Sequence, residues 1–199
     1  MVSQPLSDEV SNRLLDSASE LIIKGGPAAA TVSAIATGAG VSRMTVYRKF
    51  PDRHAIIAAL FNRELGTIVA EASSLEAPDQ RTRIVEAVAL SVNGINDHPL
   101  MQAVLRHEPT ELTEWITGSG PTFLTHPDGR LGATQRLARS VLRELIVTGQ
   151  PGTGDGSVRA GNPDAMSLTL VLVAQTFVFA HQIGGSDAEL RLLVKGYLT

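Results

Sequence analysis

The sequence predicts an all-α protein of about nine helices, and three observations carry that expectation. Apolar residues recur at three-to-four-residue spacing along most of the chain. Gly and Pro breaks and Ser, Thr, Asp or Asn starts bound these stretches. No strand-turn-strand pattern and no internal repeat interrupts them. The 199 residues are 43% hydrophobic and 19% charged, enough to bury a core and divide it between a small and a larger domain. There is no cysteine, which removes disulfides, thiolate nucleophiles, Cys-ligated zinc and iron–sulfur clusters together. The longest apolar run, Leu168 to Ala180, is 13 residues and includes Thr169, Gln175 and Thr176. A membrane span needs about 20, and no charged, apolar leader opens the sequence. A soluble, cytoplasmic protein without a membrane partner is expected.

Residues 8–24 form the first helix, with Ser7 as cap, Val10, Leu14, Ala18, Leu21 and Ile22 on one face, and Gly25-Gly26-Pro27 as its stop. Two short helices follow, Val32–Ala39 and Ser42–Lys49, then a long one opened by Asp52 after Pro51 and running to about Ser73. Ile84, Val88, Val92 and Ile95 mark a fifth helix, ending before His98-Pro99. A sixth occupies residues 100–118, with Pro109 either interrupting it or beginning a segment, and a seventh runs from about Leu131 to Thr148. Gln150 to Asn162 holds five Gly or Pro in thirteen residues and reads as a mobile surface loop. Asn162-Pro163-Asp164 starts an eighth helix that continues towards Gly184-Gly185. Its length decides against a strand. Ser186-Asp187-Ala188-Glu189 caps a ninth.

The chemistry concentrates in residues 31–54. The net charge is −3, yet Arg43, Arg48, Lys49 and Arg53 face only Asp52 between positions 41 and 54, which suggests a local anionic partner. Two short helices crossing steeply need a small residue where they meet, a left-handed residue in the turn and apolar plugs beyond it. Ala36, Gly40, Val41 and Val46 supply these in order, with Ile35 and Phe50 completing the small core. Thr31 and Ser42 cap the two helices. Arg43, Met44, Thr45, Tyr47 and Arg48 are thereby left on the outer side of the second helix, the one a helix-turn-helix inserts into the major groove. Arg43 suits guanine edges, and Met44 and Thr45 suit a thymine methyl. Thr31, Ser42, Tyr47 and Lys49 suit phosphates, and Arg48 suits either.

Residues Thr31-Val32 and Val41-Ser42-Arg43-Met44-Thr45-Val46-Tyr47-Arg48-Lys49-Phe50-Pro51-Asp52-Arg53-His54-Ala55 resemble the signature of the TetR family of bacterial transcriptional regulators. Met44 stands where a small residue or proline is usual, and Arg53 where lysine is commoner. The resemblance implies a three-helix DNA-binding domain over residues 1–53 and a helical ligand-binding and dimerisation domain over 54–199. It also implies repression of transcription, relieved by a small-molecule effector.

One such domain reads few base pairs, so selectivity calls for a homodimer on a near-palindromic double-stranded operator with half-sites about 34–36 Å apart. The eighth helix is apolar nearly all round, which fits a partner's matching helix against it. Leu168, Val171, Leu172, Phe179 and, on the ninth helix, Leu192 are the expected interface residues. An apolar effector pocket among the middle helices would be lined by Met101, Leu105, Trp115, Phe123, Gln175, Phe177 and His181, with Arg106, His107 and Glu108 as further anchors.

Two other classes stay open at this point. A helical enzyme would need a constellation such as His-Glu-x-x-His, Gly-x-Ser-x-Gly or a carboxylate–histidine di-iron set, and none is present. The glycines of 149–161 lack the following Lys-Ser/Thr of a phosphate loop. A phosphate-binding adaptor would use the basic patch without sequence preference. No catalytic residue, metal or cofactor is expected.

Overall fold

The computed structural model describes residues 4–107, 133–180 and 184–199. Among these, the chain forms nine α-helices, one 3-10 turn and no strand. The helices are α1 (Gln4–Gly25), α2 (Val32–Gly38), α3 (Arg43–Lys49), α4 (Arg53–Ser73), α5 (Gln80–Asp97), α6 (Pro99–His107), α7 (Ala133–Gly149), α8 (Pro163–Ala180) and α9 (Asp187–Leu198). The 3-10 turn spans Pro27–Ala29. The first helix begins at Gln4, so Ser7 lies inside it and is not its cap. Pro5 is tolerated there because the amides of a first turn have no intrahelical acceptor.

Two compact units share these elements. One takes in the described residues up to Glu64 together with those from His98 to His107. In it α1 packs on α6, on α2 and on the 3-10 turn. Leu14, Ala18 and Ile22 are fully buried along α1, with Leu15 where the sequence pattern favoured Leu21. Gly26, at φ +76°, ends α1 by donating its amide to the Ile22 carbonyl (2.8 Å). Leu100, Met101, Ala103 and Val104 form the buried side of α6. Arg63 on α4 pairs with Asp16 on α1 at 2.9 Å and with Glu64 at 2.7 Å.

The other unit comprises residues 65–97 and 133–199. Helix α5 lies against α7, α8 and α9, which explains why Val85, Ala87 and Ala89 are buried alongside the expected Ile84, Val88 and Val92. A helix with neighbours on several sides loses the one-faced pattern that sequence reading relies on. Helices α7 and α8 run antiparallel: Gln135 Nε2 donates to Gln175 Oε1 (3.0 Å) at one end, and Arg143 Nε donates to Asp164 Oδ1 (3.0 Å) at the other. The α8 start is a side-chain cap, with Asn162 Oδ1 accepting from the Asp164 and Ala165 amides. On α9 the capping box of Ser186 and Glu189 is present. Arg191 there bonds Asp187 (2.6 Å) and Glu86 of α5, while Asn93 Nδ2 donates to Asp187 Oδ1 (2.9 Å). The Arg191 guanidinium, with Asn93, holds the Asp187 carboxyl below the usual carboxylate range.

The segment 150–161 is a largely exposed loop, as expected, and it is tied down by hydrogen bonds that the sequence did not reveal. It is a strap that closes three helix ends. The Asp155 and Val158 amides donate to the last carbonyls of α7, at Thr148 (3.1 Å) and Gly149 (2.8 Å). Asp155 Oδ2 and Ser157 Oγ accept from the first amides of α5, at Gln80 (2.8 Å) and Arg81 (3.0 Å). The Arg159 amide donates to the Leu198 carbonyl of α9 (2.9 Å), and its guanidinium lies 4.8 Å from the centre of the Tyr197 ring. Val158, the apolar residue in the middle, is fully buried. Helix termini leave orphan amides and carbonyls, and Asp, Ser and backbone groups in a polar stretch are suited to satisfying them. Composition announced polarity, whereas the partners lie up to 76 residues away.

Candidate nucleic-acid interface

Helices α2 and α3 take the arrangement the sequence requires. Thr31 Oγ1 accepts from the Ala34 amide (3.2 Å) and Ser42 Oγ from the Thr45 amide (3.2 Å), so each helix starts on a side-chain cap. Gly40 sits at φ +66°. A Cβ there would meet nothing within 4 Å, so the demand for glycine is conformational. Beyond it the Val41 amide donates back to the Ala36 carbonyl (2.9 Å). Ile35 and Val46 are fully buried, Ala36 nearly so, and Val41 and Phe50 partly so. Phe50 is extended (φ −132°, ψ 129°), as a residue before proline prefers. Asp52 then caps α4 through the Ala55 amide (2.8 Å).

Two contacts escaped the sequence reading. Ser17 Oγ on α1 donates to the Ile35 carbonyl (3.1 Å), and a Cβ on Gly38 would fall 2.2 Å from that oxygen. The end of α2 therefore lies hard against α1 because position 38 has no side chain. Arg53, counted in the basic cluster, is turned inward: its Nε donates to the Ala30 carbonyl (3.0 Å) and its Nη2 to the Pro27 carbonyl. It braces the start of α4 to the 3-10 turn. The outward basic residues are therefore Arg43, Arg48 and, partly exposed, Lys49.

Around α3 each residue advances by about 100°. Taking buried Val46 as the inward direction, Arg43 and Lys49 lie about 60° to either side, and Tyr47 and Thr45 about 100°. Met44 and Arg48 lie about 160° away, directly outward. Val46 is 0%, Tyr47 52% and Met44 77% exposed. Arg43, Arg48 and Ser42 are exposed, and Thr45 is half-buried, its hydroxyl 3.0 Å from Ser42 Oγ. The last-turn bases Arg48 and Lys49 also face the negative end of the helix dipole.

Residues 14–60 match the family described as bacterial regulatory proteins, tetR family. The match starts and ends at two fully buried residues, Leu14 and Leu60. An uncharacterized HTH-type transcriptional regulator of Mycobacterium bovis is 25% identical over 197 residues, covering 96% of this chain and 95% of its own. One from Mycobacterium tuberculosis strain H37Rv is 25% identical at the same coverage. Among solved structures, the TetR-family transcriptional repressor QsdR of R. erythropolis superposes with a TM-score of 0.69 at 16% identity, covering 96% of this chain and 95% of that one. The TetR family repressor AlkX of Dietzia sp. strain DQ12-45-1b gives 0.62 at 16% identity, with 94% of each chain covered. The likeness to a family of bacterial regulatory proteins is thus confined to residues 14–60, while the relatives matched along nearly the whole chain are HTH-type transcriptional regulators.

The remaining expected sites fall as follows. Met101 is buried and Leu105 half-buried on α6, in the first unit. Gln175 and Phe177 are half-buried on α8, in the second, and the Gln175 carbonyl oxygen is engaged by Gln135. Trp115, Phe123 and His181 lie outside the described residues, as does Glu108, and so does the side chain of Phe179. Val171 is only 4% exposed. Leu172 and Leu192 are open at 50% and 72%, and Leu168 is half-buried. Arg106 and His107 are exposed on the last turn of α6. Among the described residues no three His, Asp or Glu gather as a metal site, and no helix is long and apolar enough to cross a membrane.

Proposed function

We propose that two copies of this regulator grip a near-palindromic DNA operator, each laying α3 into the major groove, and that they repress transcription until a small molecule releases them. The supporting observation is the outer face of α3, where Arg43, Met44, Tyr47 and Arg48 are exposed opposite a fully buried Val46. Such a face suits base edges and phosphates together. Thr31, Ser42 and Thr45 act beside it: Thr31 and Ser42 oxygens already serve as caps, and one hydroxyl of the Ser42–Thr45 pair donates to the other, so phosphate would take the O–H of Thr31 and the remaining O–H of that pair. Lys49 completes the backbone contacts. Residues 1–53 read DNA, and 54–199 hold the effector pocket and the dimer contact, in a protein that works in the cytoplasm.

Dimerisation follows from half-site geometry. Leu172 and Leu192 are large apolar side chains in water on α8 and α9, and Leu168 lies on the same helix as Leu172. The α8 hydroxyls do not obstruct a partner, since Thr169 and Thr176 donate to their own helix's carbonyls at Ala165 (3.0 Å) and Leu172 (2.9 Å). Repression is the role named for QsdR and AlkX. An effector releases DNA only by favouring a state in which the two α3 helices no longer match one DNA face.

Footprinting across the DNA upstream of the regulator's own gene tests this. A protected near-palindrome with half-sites one helical turn apart is the expected result. Binding that tolerates every sequence equally would favour a phosphate-binding adaptor instead. On the protected site, Arg43→Ala is expected to cost about 1–3 kcal/mol and relax one base position. Tyr47→Phe is expected to weaken all sequences by a similar factor. Titrations against the operator and its single-base variants check both.

A further inference from the structure

Met44 is the most exposed large apolar side chain among the described residues, at 77%. It stands about 160° round α3 from buried Val46, so nothing in its own unit's core explains it. Long side chains on a helix lean back towards its N-terminus, which in a helix-turn-helix is the end that approaches the bases first. A thioether neither donates a hydrogen bond nor accepts a strong one, so it cannot read the donor and acceptor groups of the groove. One standard base offers it an apolar partner there: thymine, through its 5-methyl group. Its neighbour on the same outward face, Arg48, lies four residues or about 6 Å along the axis and carries the opposite kind of chemistry.

From this we infer that Met44 is a specificity-determining residue that selects a thymine in each operator half-site by contact with its 5-methyl. The inference rests on α3 being the DNA-contacting helix.

The test uses the full-length protein and a duplex it enriches itself from a random pool. Each thymine of that duplex is replaced by deoxyuridine, one symmetric pair of positions at a time, and affinity is measured by fluorescence anisotropy at one fixed salt concentration. Deoxyuridine keeps every hydrogen-bonding group and deletes only the methyl. One symmetric pair is expected to lose about fourfold per half-site, the value of one methylene-sized group left in water. Met44→Ala, at an exposed position that does not touch folding, binds the thymine and deoxyuridine duplexes alike at that pair and still discriminates elsewhere. Met44→Leu retains the preference. Equal affinity of the unaltered protein for every deoxyuridine duplex overturns the inference, as does a preference that survives in Met44→Ala. A protein that enriches no sequence overturns the DNA-binding proposal as well, and does so before any deoxyuridine is introduced, so the two failures are told apart.

Discussion

Gly40→Val is expected to lower the melting temperature by roughly 3–10 °C and to abolish operator binding, whereas Gly40→Asn retains most of both. The turn between α2 and α3 holds position 40 at φ +66°, where a β-branched residue clashes with its own backbone and asparagine is tolerated. A side chain there has open space, so crowding contributes nothing and the two variants separate conformational strain from size. The cost is about 1–3 kcal/mol for an ordinary residue held left-handed, and valine lies at the upper end. DNA binding suffers more than stability because the turn fixes the crossing of α2 and α3. The chain can relieve the strain only by re-aiming α3, and a displaced recognition helix loses its base contacts together. Thermal denaturation by circular dichroism and an operator titration check the two variants side by side. Equal behaviour of Val and Asn would show that the turn does not need a left-handed residue.

Ile35→Ala is expected to be the most destabilising of the changes considered, at about 2–5 kcal/mol, with Ile35→Val at about 0.5–1.5 kcal/mol. The side chain is fully buried, and its carbonyl receives both the Ala39 amide (2.9 Å) and the Ser17 hydroxyl of α1 (3.1 Å). With Gly38 already pressed against Ser17, α2 has little freedom to settle into the cavity that alanine leaves. Limited relaxation places the cost towards the upper part of the range. Denaturant titration of the three proteins measures the series, and a shallow graded loss in place of a steep one would mean that α2 is loosely seated on α1.

The helix-turn-helix was legible in the sequence because its determinants are local. Caps at Thr31, Ser42 and Asp52, the left-handed Gly40 and the buried Val46 all act within a few residues of themselves. The same holds for Asn162 and Ser186 at the starts of α8 and α9. What stayed hidden depends on partners distant in the chain. Arg53 looks like one more surface cation until Pro27 and Ala30, 26 and 23 residues earlier, present their carbonyls to it. Asp155 and Ser157 sit in a stretch whose glycines and polarity signal a loop, and only the fold brings the α5 amides to them. Val171 and Leu172 are neighbours in an unbroken apolar run, and periodicity could not say that one faces its own core and the other water. The helix is apolar on all sides, so no polar face marks the direction of the protein interior.

The central claim is that the outward face of α3 reads the operator. The most direct measurement is the affinity of the double variant Arg43→Ala, Arg48→Ala for the selected duplex and for a scrambled one, at one salt concentration. Both side chains are exposed on α3, so the helical circular dichroism should be unchanged. The expected result is a loss of at least about a hundredfold on the selected duplex, bringing it close to the scrambled one, because two base-reading contacts are removed from each half-site. Retention of the original affinity and sequence preference by the double variant would contradict the claim.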